Sequence, residues 1–124
     1  MKFTINIKNT KKEETYLSFF IDEEENTATI NYIIVEDKLR GKGIATDMLW
    51  YFYDYILSNF PLIKKVYWDD CSDKSRQIDN IYLKIGSNYV REFGPEMVWN
   101  LYKDNVKKLR GKYRSKYRRK MKLE

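Results

Sequence analysis

One change of hydrophobic period constrains this chain more than any other feature. Residues 27–35 are β-branched and aromatic, as a strand requires. From there the apolar positions become Ile44, Met48, Leu49, Phe52, Tyr55, Ile56 and Phe60, the spacing of one helix face, and Pro61 ends the run. Between the two patterns lies Glu36-Asp37-Lys38-Leu39-Arg40-Gly41-Lys42-Gly43, too polar and glycine-rich to continue a strand. Residues 62–68 then read as a strand again. A strand, a helix of about four turns and a second strand make a crossover, so the two strands are expected to lie parallel.

The flanking segments predict short antiparallel connections. Residues 2–8 place Phe3, Ile5 and Ile7 on one face, and residues 15–21 are rich in aromatic and β-branched side chains. The polar stretches at 9–14 and 22–26 are too short to be crossovers, so the first three strands form a meander. Downstream, Ser72 or Asp73 would cap a second helix running to about Ile85, with Gly86 stopping it. Residues 88–93 and 97–102, either side of Gly94-Pro95, read as a closing hairpin. The fold class is therefore α+β: a mixed sheet in the order βββ-α-β-α-ββ, flanked by two helices. With 124 residues and no internal repeat, residues 1–102 make one domain and 103–124 a basic, helical C-terminal tail.

Composition prunes the chemistry. There is no histidine, which excludes Ser-His-Asp and Cys-His triads and His-based zinc sites, and no metal is expected. The single cysteine, Cys71, cannot form an intramolecular disulfide, which suits a reducing, cytoplasmic or nuclear setting. No apolar run approaches the roughly 18–20 residues that span a bilayer, and the first residues alternate unlike a signal peptide.

The sharpest local feature is Arg40-Gly41-Lys42-Gly43-Ile44-Ala45, between a strand and a helix. A helix N-terminus carries unpaired N–H groups and roughly half a positive charge. Two glycines let an anion approach the backbone, and Arg40 and Lys42 add cations. The pattern reads as a phosphate or diphosphate cradle; the plain reading is a strand-to-helix turn whose glycines serve positive φ. It is neither a Walker loop nor GxGxxG, since Thr46 holds the third glycine position.

These residues resemble the acetyl-CoA signature of the GNAT superfamily of N-acetyltransferases, Arg/Gln-x-x-Gly-x-Gly/Ala, with Arg40, Gly43 and Ala45 at its three defining positions. Downstream, Asn80-Ile81-Tyr82-Leu83-Lys84-Ile85-Gly86 is similar to the family's Leu-Tyr-x-x-Leu-Gly-Phe segment. The resemblance spans roughly residues 15–102. Ser87 departs from the aromatic that usually follows the glycine, and Ser75 stands where many members have an Asn contacting the pantetheine arm. The N-terminal half is short, with little of the helical substrate lid of larger members.

The resemblance implies direct transfer of acetyl from acetyl-CoA, the co-substrate, to a primary amine: a protein lysine or N-terminus, or a small polyamine. The parallel strands would splay at their carboxyl ends, where ligands of parallel sheets bind. Backbone groups near Ile33 and Val35, with Ser75, would hold the pantetheine arm. Arg40 and the N–H groups of Gly41, Lys42, Gly43, Ile44, Ala45 and Thr46 would hold the diphosphate. Tyr82 takes the position of the family's general acid. Asp69 and Asp70, with Glu36 and Asp37 across the gap, would attract a cationic amine, one of them serving as base. Cys71 adjoins them, most simply as a bystander thiol.

The tail needs its own explanation. Residues 103–124 hold eleven Lys or Arg against two carboxylates, a net +9, while residues 1–102 carry −3. Tyr102, Val106, Leu109, Tyr113, Tyr117 and Met121 fall on one helical stripe. That stripe would dock on the body or on a second copy in a homodimer. Otherwise the segment would bind nucleic acid, with tyrosines to stack on bases, or lie on an anionic membrane. The rival to an enzyme is a GNAT-like fold without catalysis that holds nucleic acid or a protein partner through this tail.

Overall fold

The computed structural model describes residues 1–8, 14–71 and 80–124. Three strands open the fold: β1 (Lys2–Ile7), β2 (Tyr16–Asp22) and β3 (Thr27–Ile34). They form the antiparallel meander that their short connections require. A single 3-10 turn at Asp37–Leu39 leads into α1 (Ile44–Asn59), and β4 (Lys65–Asp69) follows. β4 pairs with β3 in parallel, as the crossover demands. After α2 (Ile81–Lys84) come β5 (Asn88–Tyr89), β6 (Glu96–Asn100), α3 (Asp104–Lys112) and β7 (Met121–Leu123). Among the described residues, the sheet has seven strands in the order β5-β6-β4-β3-β2-β1-β7.

α1 covers one sheet face because its apolar stripe matches the inward residues of the strands. Met48, Leu49, Phe52 and Ile56 are wholly buried with Leu17, Phe19, Val66 and Trp99. Aromatic rings fill much of this layer. Phe19 meets Phe52 edge-on at 4.8 Å between centroids, and Trp50 meets Trp99 at 5.3 Å. Such edge contacts add about 1 kcal/mol beyond the area they bury.

The expected tail helix is corrected by the structure. α3 stops at Lys112, and the chain then crosses α1 to add β7 to the free edge of β1. The cause is Asp47, buried in the first turn of α1. Its carboxylate accepts from the Tyr113 hydroxyl and from the backbone N–H groups of Lys116 and Tyr117, at 2.9 and 2.7 Å. Those amides would be committed to the preceding turn if α3 continued. Asp54, two turns along α1, receives Arg110 at 2.8 and 2.9 Å and also receives Arg118. Val106, Leu109, Tyr113, Tyr117 and Met121 do reach the core, but from a helix, a loop and a strand in turn. β7 closes an edge that would otherwise expose a row of unpaired backbone groups.

Smaller differences have local reasons. β4 starts three residues later than the pattern suggests because residues 61–62 form a turn and the Ile63 N–H bonds the Phe60 carbonyl at 3.0 Å. The closing hairpin is short on one side: β5 has two residues, and the Val90 N–H adds one further bond to the Glu96 carbonyl before a run of bends through Gly94. The expected start of the second helix at Ser72 or Asp73 lies outside the described residues.

Candidate active site

The two parallel strands part almost as soon as they meet. Only Ala28 with Val66 and Thr29 with Tyr67 stand in register. Just beyond, β3 carries a bulge. Ile30 faces Phe19 and Tyr32 faces Ser18 across the β2 ladder, leaving Asn31 as the extra residue. A bulge bends its strand and sharpens the local twist. Past it, β3 stays bonded to β2, while its ladder to β4 has ended and the edge toward β4 is open.

A cavity of about 540 Å³ occupies this side of the opening. Its walls are Ile33, Ile34 and Val35 of the β3 edge, Leu39 to Thr46 excepting Lys42 from the loop and the start of α1, and Cys71 with Asn80, Ile81 and Tyr82 opposite. Gly41 and Gly43 adopt φ of +76° and +83°, where an L side chain is strained. Gly43 is the N-cap of α1, and no side chain caps the helix. The first helical N–H with an acceptor is that of Asp47, bonded to the Gly43 carbonyl at 3.0 Å. The amides of residues 41–46 therefore donate to no group among the described residues. Six uncommitted donors at the positive end of a sixteen-residue helix make an anion receptor.

The side chains of the loop are less free than its backbone. Arg40 folds back, its Nε donating to the Val35 carbonyl at 3.1 Å and its guanidinium lying 3.3 Å from Asp37. Lys42 is exposed and does not line the cavity.

Opposite the loop, Tyr82 sits in the first turn of α2. Asn80 caps that turn, its Oδ1 accepting from the Tyr82 N–H at 2.8 Å. Asn80 is held in turn by Asp70, whose Oδ2 accepts from Asn80 Nδ2 at 2.7 Å and from the Tyr89 hydroxyl at 2.6 Å. The Tyr82 ring meets Trp68 edge-on at 5.3 Å. Burial, with smaller contributions from Asp70, Cys71 and Tyr89, pushes its hydroxyl up to about 12. At neutral pH this phenol stays protonated. Gly86 follows at φ +90°, and a Cβ there would lie 2.9 Å from Val106 of α3, so a glycine is needed for α3 to pack on this segment.

No protein-family model and no curated sequence matches this chain. Among solved structures it is similar to the crystal structure of Tetrahymena GCN5, with a TM-score of 0.54 at 11% identity. The match covers 81% of this chain and 69% of that one. The likeness is one of fold: a mixed α+β architecture with a seven-stranded mixed sheet and three helices.

This is the GNAT fold.

Within the GNAT fold, the acidic residues do not form the single cluster that the sequence suggests. Asp69 and Asp70 are adjacent but point to opposite sides. Asp70 is 3% exposed, lines neither cavity, and its N–H bonds the Pro95 carbonyl at 2.8 Å. It anchors α2 and β5 to the end of β4. Asp69 is exposed and lines a second cavity of about 450 Å³ with Tyr32, Tyr67, Trp68 and Glu96. Glu36 and Asp37 border a third hollow behind the loop, where Lys38 and Arg40 neutralise them, and they do not face Asp69 across the opening. Ser75 lies outside the described residues.

Two residues take places that the sequence reading does not give them, where Cys71 is a bystander thiol and Asn80 only part of a motif. Cys71 lines both the first and the second cavity, so it stands between them. Asn80 is the buried link between Asp70 and Tyr82. An Asn immediately before an apolar helical run is an N-cap signal, masked here by the expectation of a helix starting earlier.

Proposed function

We propose that this chain is an acetyl-CoA-dependent N-acetyltransferase acting on a primary amine. The observation that carries the reading is one cavity bordered by three things: the free amides of the loop and helix start, an open strand edge and a protonated tyrosine. The residues fit the co-substrate. Amides 41–46 offer enough donors for a diphosphate, and the glycines keep side chains out of its way. Ile33, Val35 and Ile81 offer an apolar channel beside an unpaired strand edge, suited to a chain bearing amide groups.

When bound, acetyl-CoA supplies an acetyl group activated as a thioester. The protein's part is placement and protons. The loop and helix start fix the phosphate end, and the β3 edge aligns the arm toward Cys71 and Tyr82. Tyr82 holds its proton at the phenolic oxygen beside the place where sulfur leaves. With its pKa raised to about 12, against roughly 8.5 for a free thiol, it acts mainly as a hydrogen-bond donor to the developing thiolate. Asn80, anchored by Asp70, keeps Tyr82 in position. The amine enters from the second cavity and gives up its proton on that side, which Asp69 and Glu96 line. Arg40 serves the site through Val35 and Asp37 unless it is released to meet a phosphate.

The test is titration calorimetry with coenzyme A, followed by thiol release from acetyl-CoA in the presence of primary amines. Micromolar binding with amine-dependent release is expected. Absence of heat at millimolar coenzyme A would overturn the reading.

A further inference from the structure

The C-terminal segment spends only part of its charge on the fold. Arg110 and Arg118 meet Asp54, and Lys122 meets Glu124. On α3, Lys107, Lys108 and Lys112 share the exposed side with Gly111, opposite buried Val106 and core-packed Leu109. A Cβ at Gly111 would meet nothing within 4 Å, so this side is open. Beyond the helix, Arg114, Lys116, Arg119 and Lys120 are exposed as well. None of these seven cations pairs with a carboxylate among the described residues. They stand on a fixed scaffold, because Asp47 and Asp54 hold the chain on α1 and β7 holds it on β1. Residues 103–124 line none of the three cavities described above.

Three kinds of partner meet a cationic strip, and the side chains choose among them. A helix that lies on a membrane inserts apolar groups beside its cations. Here Tyr113, Tyr117 and Met121 are packed against the core, and none of the exposed large apolar side chains lies in residues 103–124. The core of a protein interface is rich in aromatic side chains and depleted of lysine, the reverse of this strip. A phosphate backbone asks only for cations, and a duplex offers one charge about every 1.7 Å. The nine residues of α3 run about 13 Å, enough to face roughly four phosphates of one strand. Stacking on unpaired bases is not supplied. Tyr113 and Tyr117 are turned inward, and the Tyr102 ring lies under the Lys64 and Lys107 ammoniums at 4.8 and 5.6 Å.

We propose that α3 and the residues after it form a docking surface for the phosphate backbone of a nucleic-acid duplex. Lys107, Lys108 and Lys112 meet successive phosphates, and the cations beyond the helix extend the contact across α1. Each contact releases condensed counterions, so the binding depends steeply on salt. With no group on the strip set to read base edges, it is indifferent to sequence. The surface lies outside the cavity and needs no acetyl-CoA, so it stands or falls apart from the acetyltransferase reading.

The experiment is fluorescence anisotropy of the full chain with two unrelated, labelled DNA duplexes of about 20 base pairs, between about 50 and 200 mM salt. Both duplexes are expected to bind equally, with log K falling by about four for each tenfold rise in salt. Replacing Lys107, Lys108 and Lys112 together by Ala is expected to make that slope shallower by two to three and to weaken binding at least tenfold. All three side chains are exposed, so Tm should be unchanged and the loss is one of contact rather than of fold. No binding at about 50 mM salt, or binding untouched by the triple variant, would overturn the proposal. A strong preference for one duplex would contradict backbone-only contact. Tighter binding to single-stranded oligothymidine, to phosphatidylserine vesicles or to polyglutamate would assign the strip to another partner and overturn it as well.

Discussion

The two sides of the first turn of α1 handle positive charge in opposite ways. On the loop side, six backbone donors of residues 41–46 have no acceptor among the described residues. On the other side, Asp47 takes three donors from the C-terminal segment, and Asp54 takes Arg110 and Arg118. The segment that dominates the charge count therefore turns part of its charge and backbone inward to hold the sheet edge. The loop, with only two cations, leaves its donors open. Net charge alone points away from the cavity; the fate of each backbone donor points to it.

Replacements on each side should separate stability from binding. The largest effect is expected from Asp47→Ala, which leaves a part-buried hydroxyl and two part-buried amides without their acceptor. A loss of about 3 kcal/mol is expected in denaturant unfolding, with β7 released from β1. A loss under about 0.5 kcal/mol would show that the seam is incidental. On the loop side, Gly43→Glu places a carboxylate at the anion receptor and a side chain at φ +83°. Affinity for coenzyme A should fall at least a hundredfold, about 2.7 kcal/mol. The accompanying stability loss should be near 1 kcal/mol.

Tyr82→Phe keeps the ring against Trp68 and removes the hydroxyl. Turnover should fall about tenfold while coenzyme A affinity is unchanged. Because Tyr82 ionises only near 12, any alkaline limb below pH 10 in the wild-type profile must persist in this variant. Disappearance of that limb would assign it to Tyr82 after all.

The smallest effect concerns Asp54→Asn, with an expected loss of about 1 kcal/mol at neutral pH. Burial raises the Asp54 pKa, but hydrogen bonds and charge from Arg110 and Arg118 outweigh it, so its value in the folded protein is lowered. The stabilisation is accordingly present above the ordinary carboxylate range and lost as pH falls through the lowered value. Wild type and variant should converge in stability at strongly acidic pH; a constant difference would contradict this assignment.

What could be read from the sequence was what local pattern determines. The period change from residues 27–35 to Ile44 set the crossover, and glycines at a helix start set the amide receptor. The C-terminal strand was hidden because Met121 to Leu123 is three residues long and its partner, β1, lies at the other end of the chain. The stripe from Tyr102 to Met121 has helical spacing, and only a contact about seventy residues away in sequence breaks it. Asp47 reads locally as a helix-dipole carboxylate, a role that gives no hint of three distant donors. The Asp69–Asp70 pair was partly legible: alternation along β4 puts Asp69 on the face of Tyr67 and Asp70 on that of Trp68. The Asp69–Glu96 juxtaposition depends on a register between β4 and β6 that no local pattern states.

The account turns on where a diphosphate meets the backbone, and amide chemical shifts of isotope-labelled protein during a coenzyme A titration read that directly. The amides of residues 41–46 should show the largest saturable shifts, with the N–H groups of Lys116 and Tyr117 little changed. Shifts concentrated in residues 103–124, with none in the loop, would show coenzyme A drawn to the basic segment by charge alone and would contradict the account.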